Sequence, residues 1–319
     1  MKRLISVVVP VYNEQAGIKF FLEKELGPSI EKLDEKVEVV VIDDGSTDKS
    51  VETVKSCDLG PNVKIRVVAL MKNFGKENAL TAGLREAEGD AVIMIDADGQ
   101  HPASEIPRMV EKWHDGAMIV TAVREKNTTK HKFGSRVYYT LMKITGDKDI
   151  VEGETDFRLL DREVVDAFNQ FTEHNRLTRG LINWLGYPQE YIRVKTKGRT
   201  SGEATYGFKK LMALTGDSVI STSRTPLVIF GYIGAFIMMI TFFPGLFQLI
   251  QEYILGDPMH LQWGGGVATG FFSAFLVGLV LISQSITALY ISHIHAEAKN
   301  RPLYVVNKSK SVGLKDAKK

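Results

Sequence analysis

GDAVIMIDADGQHP (residues 89–102) holds five apolar residues, Ala91–Ile95, followed at once by Asp96, Asp98 and Gln100. A short apolar run that ends in acids reads as a buried strand whose carboxyl end bears a polar cluster. The same pattern repeats toward the amino terminus. Leu4–Val9 is rich in Val and Ile, ends at Pro10, and is too short for a signal-peptide core; it is expected as a buried parallel strand. Val37–Ile42 runs into Asp43-Asp44-Gly45-Ser46-Thr47-Asp48, and Val63–Leu70 fits a third strand. Helical patterns fall between the strands. Ile18, Phe21, Leu22, Leu26 and Leu33 mark the first, Ser46 or Thr47 with Asp48 would cap a helix from near Lys49, and Lys76–Glu88 forms another. Strands alternating with helices predict an α/β domain with a mostly parallel, Rossmann-like sheet covered on both faces. Ligands of such sheets bind at the carboxyl ends of the strands. Three polar clusters sit there: Pro10–Glu14, Asp43–Asp48 and Asp96–Gln100.

Asp96 and Asp98 stand two residues apart just after a buried strand, so their carboxylates can converge on one divalent cation. Hard oxygen ligands suit Mg²⁺ or Mn²⁺, and diphosphate oxygens would complete the shell. A metal held there would neutralise charge on a departing nucleoside diphosphate. The alternative is a solvated turn with capping aspartates; the position after Ala91–Ile95 favours the metal. In the Asp43–Asp44 pair, one carboxylate can accept from uracil N3–H or a ribose hydroxyl while the other caps a helix. No G-x-G-x-x-G follows the first strand, which weakens a dehydrogenase reading. His101, beside the acids and before Pro102, is read as a loop residue rather than a ligand. The single Cys57 excludes an internal disulfide and a cysteine-rich zinc site. A net charge of +2 without a clustered basic face gives no sign of a nucleic-acid partner.

The chain changes character after about residue 208. Pro226–Ile250 is 25 residues without a charged side chain, and Gly264–Ser292 is a second uncharged stretch, each long enough to span a bilayer. Gly264, Gly265, Gly266, Gly270, Ser273 and Gly278 would let the second helix pack closely. The connector Gln251–Trp263 holds Glu252 and Asp257 but no Lys or Arg, whereas Lys209, Lys210 and Arg224 precede the first span and seven Lys or Arg follow the second. The positive-inside rule then puts both flanks in the cytosol. The expected organisation is a catalytic domain over 1–208, an amphipathic juxtamembrane segment over 209–225, spans over 226–252 and 264–292, and a basic cytosolic tail over 293–319. This describes an integral protein of the plasma (inner) membrane with both termini cytosolic.

VVVPVYNE (7–14), VVVIDDGSTD (39–48), NFGKENAL (73–80) and GDAVIMIDADGQHP (89–102) resemble family 2 glycosyltransferases of the GT-A fold. EGETDFRLLDREVVDAF (152–168) and NRLTRGLINWLGY (175–187) resemble the dolichyl-phosphate mannose synthases and, especially, bacterial polyisoprenyl-phosphate glucosyltransferases of the GtrB type. The resemblance implies a nucleotide pocket lined by Pro10, Tyr12 and Glu14, with Asp44 at the base and Asp43 beside it. It implies Asp96 near the sugar and diphosphate, Asp98 on the metal, and Gln100 completing that cluster. Arg124, Arg136 and Arg199 match phosphate-binding arginines, and Asp156 matches the acid of the acceptor-side motif. Where relatives often carry a lysine and a proline, this chain has Thr205 and Gly207, which leaves open the basic residue that closes over the diphosphate. The implied reaction is inverting transfer of a hexose or N-acetylhexosamine from a UDP-sugar, or another nucleotide-sugar, to a polyisoprenyl (undecaprenyl) phosphate. A homotetramer is implied as well. A processive polysaccharide synthase is disfavoured, because no Q-x-x-R-W stretch is present and only two spans follow. A non-catalytic scaffold is disfavoured by the intact Asp96, Asp98, Arg124 and Arg136.

Overall fold

The structure, a computed structural model, describes residues 3–125, 153–174, 176–195 and 299–314, together with scattered helical positions between 250 and 298. It divides into two units, Met1–Thr205 with Arg301–Lys319, and Tyr206–Asn300.

Seven strands form the sheet of the first unit: β1 Leu4–Val11, β2 Lys36–Asp43, β3 Val63–Ala69, β4 Ala91–Met94, β5 Ile119–Arg124, β6 Glu154–Asp161 and β7 Gln189–Val194. Their spatial order is β3-β2-β1-β4-β6-β5-β7. The pairs β1/β2, β2/β3, β1/β4 and β5/β7 are parallel. β6 runs antiparallel to both β4 and β5, so the sheet is mixed. The expected parallel core is present over β1–β4, and the reversal at β6 is what the sequence pattern did not disclose.

Buried on both faces, β1 and β2 read as near-continuous Val and Ile. Their side chains alternate between two cores. Val7, Val9, Val39 and Val41 face the helical run 18–30 (α1) and the helix Ile106–His114 (α4). Val8, Val40 and Ile42 face the helix Lys76–Glu86 (α3) and the helix Arg162–Asn169 (α5). In α4, Ile106, Met109, Val110 and Trp113 are buried, the spacing of a single helical face. Helix α5 starts at Asp161, whose side chain accepts the Glu163 N–H at 2.9 Å. The shorter helices Ser50–Lys55 (α2) and Thr178–Trp184 (α6) complete the layers.

Part of the segment read as a basic tail over 293–319 has a structural role. Val312 exchanges both backbone hydrogen bonds with Val67, at 2.8 and 3.0 Å, and the Asn307 N–H reaches the Ala69 carbonyl at 2.7 Å. This segment covers the outer edge of β3, which would otherwise be open to pairing with another chain. Arg66, buried on β3, holds it further by donating to the Gly313 carbonyl at 2.6 Å while pairing with Glu38 and Glu86.

All of the span expected over 226–252 but Ile250, most of that over 264–292, and the juxtamembrane segment 209–225 lie outside the described residues. Among the described residues, no helix is long and apolar enough to cross a membrane.

Gly83 marks the tightest approach of α3 to the sheet: a Cβ there would lie 2.3 Å from Val8 Cγ1 and 3.1 Å from Ile42 Cγ1. Gly83→Ala should therefore destabilise the protein by about 1–3 kcal/mol, the usual cost of overpacking. Denaturant unfolding of the two proteins measures this, and equal stability would show that the helix can shift without penalty.

Candidate active site

The carboxyl ends of β1 and β2 are tied into one surface by side chains. Asn13, at φ 54°, donates its N–H to Ser46 Oγ at 2.9 Å, and its Oδ1 accepts the Thr47 N–H at 2.9 Å. Ser50 Oγ accepts the Glu14 N–H, and Asp48 accepts from both Gln15 and Ser50. Of the three expected caps, Asp48 alone serves the first turn of α2, while Ser46 and Thr47 bind the β1 loop instead. Asp43 is buried and closes its own turn by accepting the Ser46 N–H at 3.2 Å. Asp44 is also buried, and its two oxygens accept the N–H groups of Phe74 (2.7 Å) and Gly75 (2.9 Å). Burial raises both carboxyls above their ordinary range against the lowering effect of these amides. Asp44 therefore fixes the loop that leads into α3. Pro10 is half-buried on β1, Tyr12 is exposed, and Glu14 anchors the start of α1 through its carbonyl.

A second cluster gathers acids from distant parts of the chain. In the antiparallel pairing of β4 with β6, Met94 stands opposite Arg158. Continuing that register two places sets Asp156 opposite Asp96. Lys76, the first residue of α3, bridges them: its Nζ lies 2.7 Å from Asp96 Oδ1, 2.8 Å from Asp96 Oδ2 and 2.9 Å from Asp156 Oδ2. Arg179 of α6 donates to the other Asp156 oxygen at 2.8 Å. Burial works to raise the Asp156 carboxyl, but Lys76 and Arg179 outweigh it and hold the group far below the usual carboxylate range. Asp156 is thus a fixed anion and a poor proton acceptor. The Lys76 ammonium is correspondingly held protonated, its two acids outweighing burial.

Lys76 and Arg179 were not among the site residues read from the sequence. The signal for Lys76 was present, because a cation at a helix amino terminus opposes the helix dipole unless acids face it. No comparable local signal marks Arg179. Behind the cluster, fully buried Arg158 pairs with Glu154 at 2.9 Å and donates to Asn183 of α6 at 2.8 Å. Glu77 accepts the Thr178 N–H at 2.8 Å, which joins α3 to α6. Both supports hold α6, and so Arg179, over β6.

Asp98 accepts the Gln100 N–H at 3.0 Å, with Gly99 between them at φ 69°. His101 is a loop residue, as read, but a buried one. Its ring packs 5.9 Å from that of Phe157, and its Nδ1 has no hydrogen-bond partner. Burial lowers its basicity, while Asp96 and Asp98 act in the other direction. Arg124 ends β5 in an exposed position, its N–H bound to the Gly153 carbonyl at 3.0 Å. Arg136 and Arg199 lie outside the described residues. Among the described residues, no three His, Cys, Asp or Glu side chains are placed to hold a metal unaided. The donor set instead fits a cation shared with a ligand. Asp96 and Asp98 could supply the one or two carboxylates that Mg²⁺ takes where substrate phosphates provide other oxygens. A cavity of about 430 Å³ lined by Arg3, Asp90, Trp113 and His114 lies at the amino ends of the strands, away from this cluster.

The Asp156 pairing makes stability depend on pH. The folded-state carboxyl lies below the unfolded value of about 3.9, so the stabilisation is full above about pH 5 and fades as pH falls toward the folded-state value. Asp156→Asn should cost about 1–2 kcal/mol at neutral pH, discounted for the solvent that reaches Lys76 and Arg179, and the gap should begin to narrow near about pH 4 and shrink further as pH falls toward the folded-state value. Unfolding curves of both proteins across this range test it; a gap that does not change with pH would count against the ion pairs.

Residues 6–168 match Glycosyl transferase family 2. The chain is 35% identical over 308 residues to an uncharacterized glycosyltransferase, YkcC, of Bacillus subtilis, covering 95% of this chain and 93% of the relative. It is 35% identical over 314 residues to the SfII prophage-derived bactoprenol glucosyl transferase of Shigella flexneri, covering 96% of this chain and 98% of that protein. Glucosyl-3-phosphoglycerate synthase of Mycobacterium tuberculosis, solved with Mn²⁺, UDP and glucosyl-3-phosphoglycerate, is 20% identical over 68% of this chain and 78% of its own, at a TM-score of 0.44, too distant to bear on function. With the family match spanning half of the chain and these relatives more than a third identical along nearly all of it, the chain belongs to glycosyltransferase family 2 and is a glycosyltransferase.

Proposed function

We propose that this enzyme transfers a hexose or N-acetylhexosamine from a UDP-sugar to a polyisoprenyl phosphate, with inversion, at the cytosolic face of a membrane. The observation that carries the reading is the convergence of Asp96 and Asp156 under Lys76 and Arg179, an anion-lined site ringed by cations. The lipid acceptor is suggested by the relatives named bactoprenol glucosyl transferases. The membrane anchor is suggested by the two uncharged stretches, and by Leu276, Val280 and Ile291, which stand exposed on helical positions. The homotetramer and the orientation of the spans rest on the family resemblance and the charge pattern alone.

The chemistry needs little proton transfer. A phosphate monoester has a second pKa of about 6 and is largely a dianion at neutral pH. One of its oxygens forms the new bond to the anomeric carbon as the bond from that carbon to the diphosphate breaks. The electron pair leaves with the nucleoside diphosphate. Arg179, held by Asp156, and Arg124, exposed at the end of β5, would offer guanidiniums to phosphate oxygens, which suit them. Asp156, ionised and clamped, orients a substrate hydroxyl or the Arg179 guanidinium rather than accepting a proton. Asp44 and Asp43 keep the nucleotide side of the site in shape. Asp96, Asp98 and Gln100 would hold a divalent cation, which supplies charge neutralisation to the leaving diphosphate.

Radiolabel from a panel of UDP- and GDP-sugars should appear in undecaprenyl phosphate when the purified, detergent-solubilised protein is given Mg²⁺ or Mn²⁺, and Asp98→Ala should abolish it. Absence of lipid label from every donor, despite nucleotide binding, would point to another acceptor, such as a growing polysaccharide. Asp156→Asn should lower turnover about 10²-fold through lost positioning while leaving nucleotide affinity nearly intact. Equal losses in both would instead make Asp156 part of the nucleotide pocket.

A further inference from the structure

Lys76 occupies the carboxylate that the proposed metal requires. Its ammonium lies within 2.8 Å of both Asp96 oxygens, and the same group holds Asp156 at 2.9 Å. A divalent cation on Asp96 would then sit a few ångströms from a fixed positive charge, a repulsion that weakens its binding. Lys76 cannot retreat far. It is the first residue of α3, and the loop before it is pinned by Asp44 through the Phe74 and Gly75 amides. Its side chain is less than half exposed.

We propose that Lys76 is an internal competitor for the divalent cation, and that the donor diphosphate relieves the competition by accepting the ammonium. The inference rests on the metal-dependent reading above. Phosphate oxygens are good acceptors for an ammonium, so an arriving diphosphate offers Lys76 a partner to replace Asp96. Asp96 is then released toward the metal, and the hold of Lys76 on Asp156 is eased at the same moment. Metal and donor thus bind together far better than either binds alone. The acceptor-side acid becomes adjustable only when the donor is present. A simple strut would behave otherwise: removing it would cost stability without strengthening metal binding.

The test is Mn²⁺ binding to the full-length protein in detergent, followed by the loss of the free-ion electron paramagnetic resonance signal, with and without UDP. In the wild type, UDP should tighten Mn²⁺ binding by about tenfold or more, the size of effect expected when a carboxylate loses a neighbouring cation. Lys76→Met should bind Mn²⁺ without UDP about tenfold more tightly than the wild type, with a smaller gain on adding UDP. Lys76→Gln, which keeps a polar donor but not the charge, should behave alike, and Lys76→Arg should resemble the wild type. Mn²⁺ affinity in the wild type that ignores UDP, or unchanged or weaker affinity in a folded Lys76→Met or Lys76→Gln protein, would overturn the proposal. Absence of Mn²⁺ binding in every protein, with or without UDP, would overturn the metal-dependent reading itself and this inference with it.

Discussion

Two aspartates from different strands share one ammonium, and much of the site is arranged around that fact. Asp96 and Asp156 lie close enough to repel each other, and Lys76 reaches both. Arg179 supplies a second cation to Asp156. Such a cluster is stable only if each charge is paired, because an uncompensated charge in a partly desolvated site is costly. The surrounding structure can be understood as what keeps these four groups in place.

Three supports do so. The reversed strand β6 brings Asp156 alongside Asp96. The buried Arg158–Glu154 pair and the Arg158–Asn183 hydrogen bond attach α6 to the underside of β6. Asp44 fixes the loop before α3, which sets where Lys76 begins. The last of these links the two halves of the site. Asp44, which the family resemblance would put at the nucleotide base, is the residue that positions the cation between the other two acids. A change at Asp44 would therefore reach Asp156 through the backbone of 73–75 and Lys76, without any direct contact.

The far edge of the sheet shows a different economy. Residues 305–313 return to close β3, and the buried Arg66 fastens them there. The catalytic unit is thus built from chain on both sides of Tyr206–Asn300. For a protein proposed to be anchored through that intervening segment, the returning residues give the catalytic unit a second covalent connection to it.

The parallel core was legible in the sequence because buried strands have no polar face: Leu4–Val9, Val37–Ile42 and Ala91–Ile95 could hardly be anything else. The clusters at their ends were legible for the same reason, since polar residues directly after a buried strand must surface where the sheet opens. Asp43, Asp44, Asp96 and Asp98 could be named from position alone. What surrounds them could not. Residues 154–161 are not marked as a strand by the pattern of apolar runs, and the direction of β6 depends on how the chain returns to the sheet, which no local pattern encodes. Without that direction Asp156 has no neighbour, and without the neighbour Lys76 is one lysine among many. Arg179 is still further removed, placed by helix packing on a strand whose Asp156 lies 23 residues earlier. Residue type and local periodicity determined the layers of this protein and the identity of its acids. The cations that answer those acids were chosen by tertiary packing, because electrostatic pairing acts through space and leaves little trace along the chain.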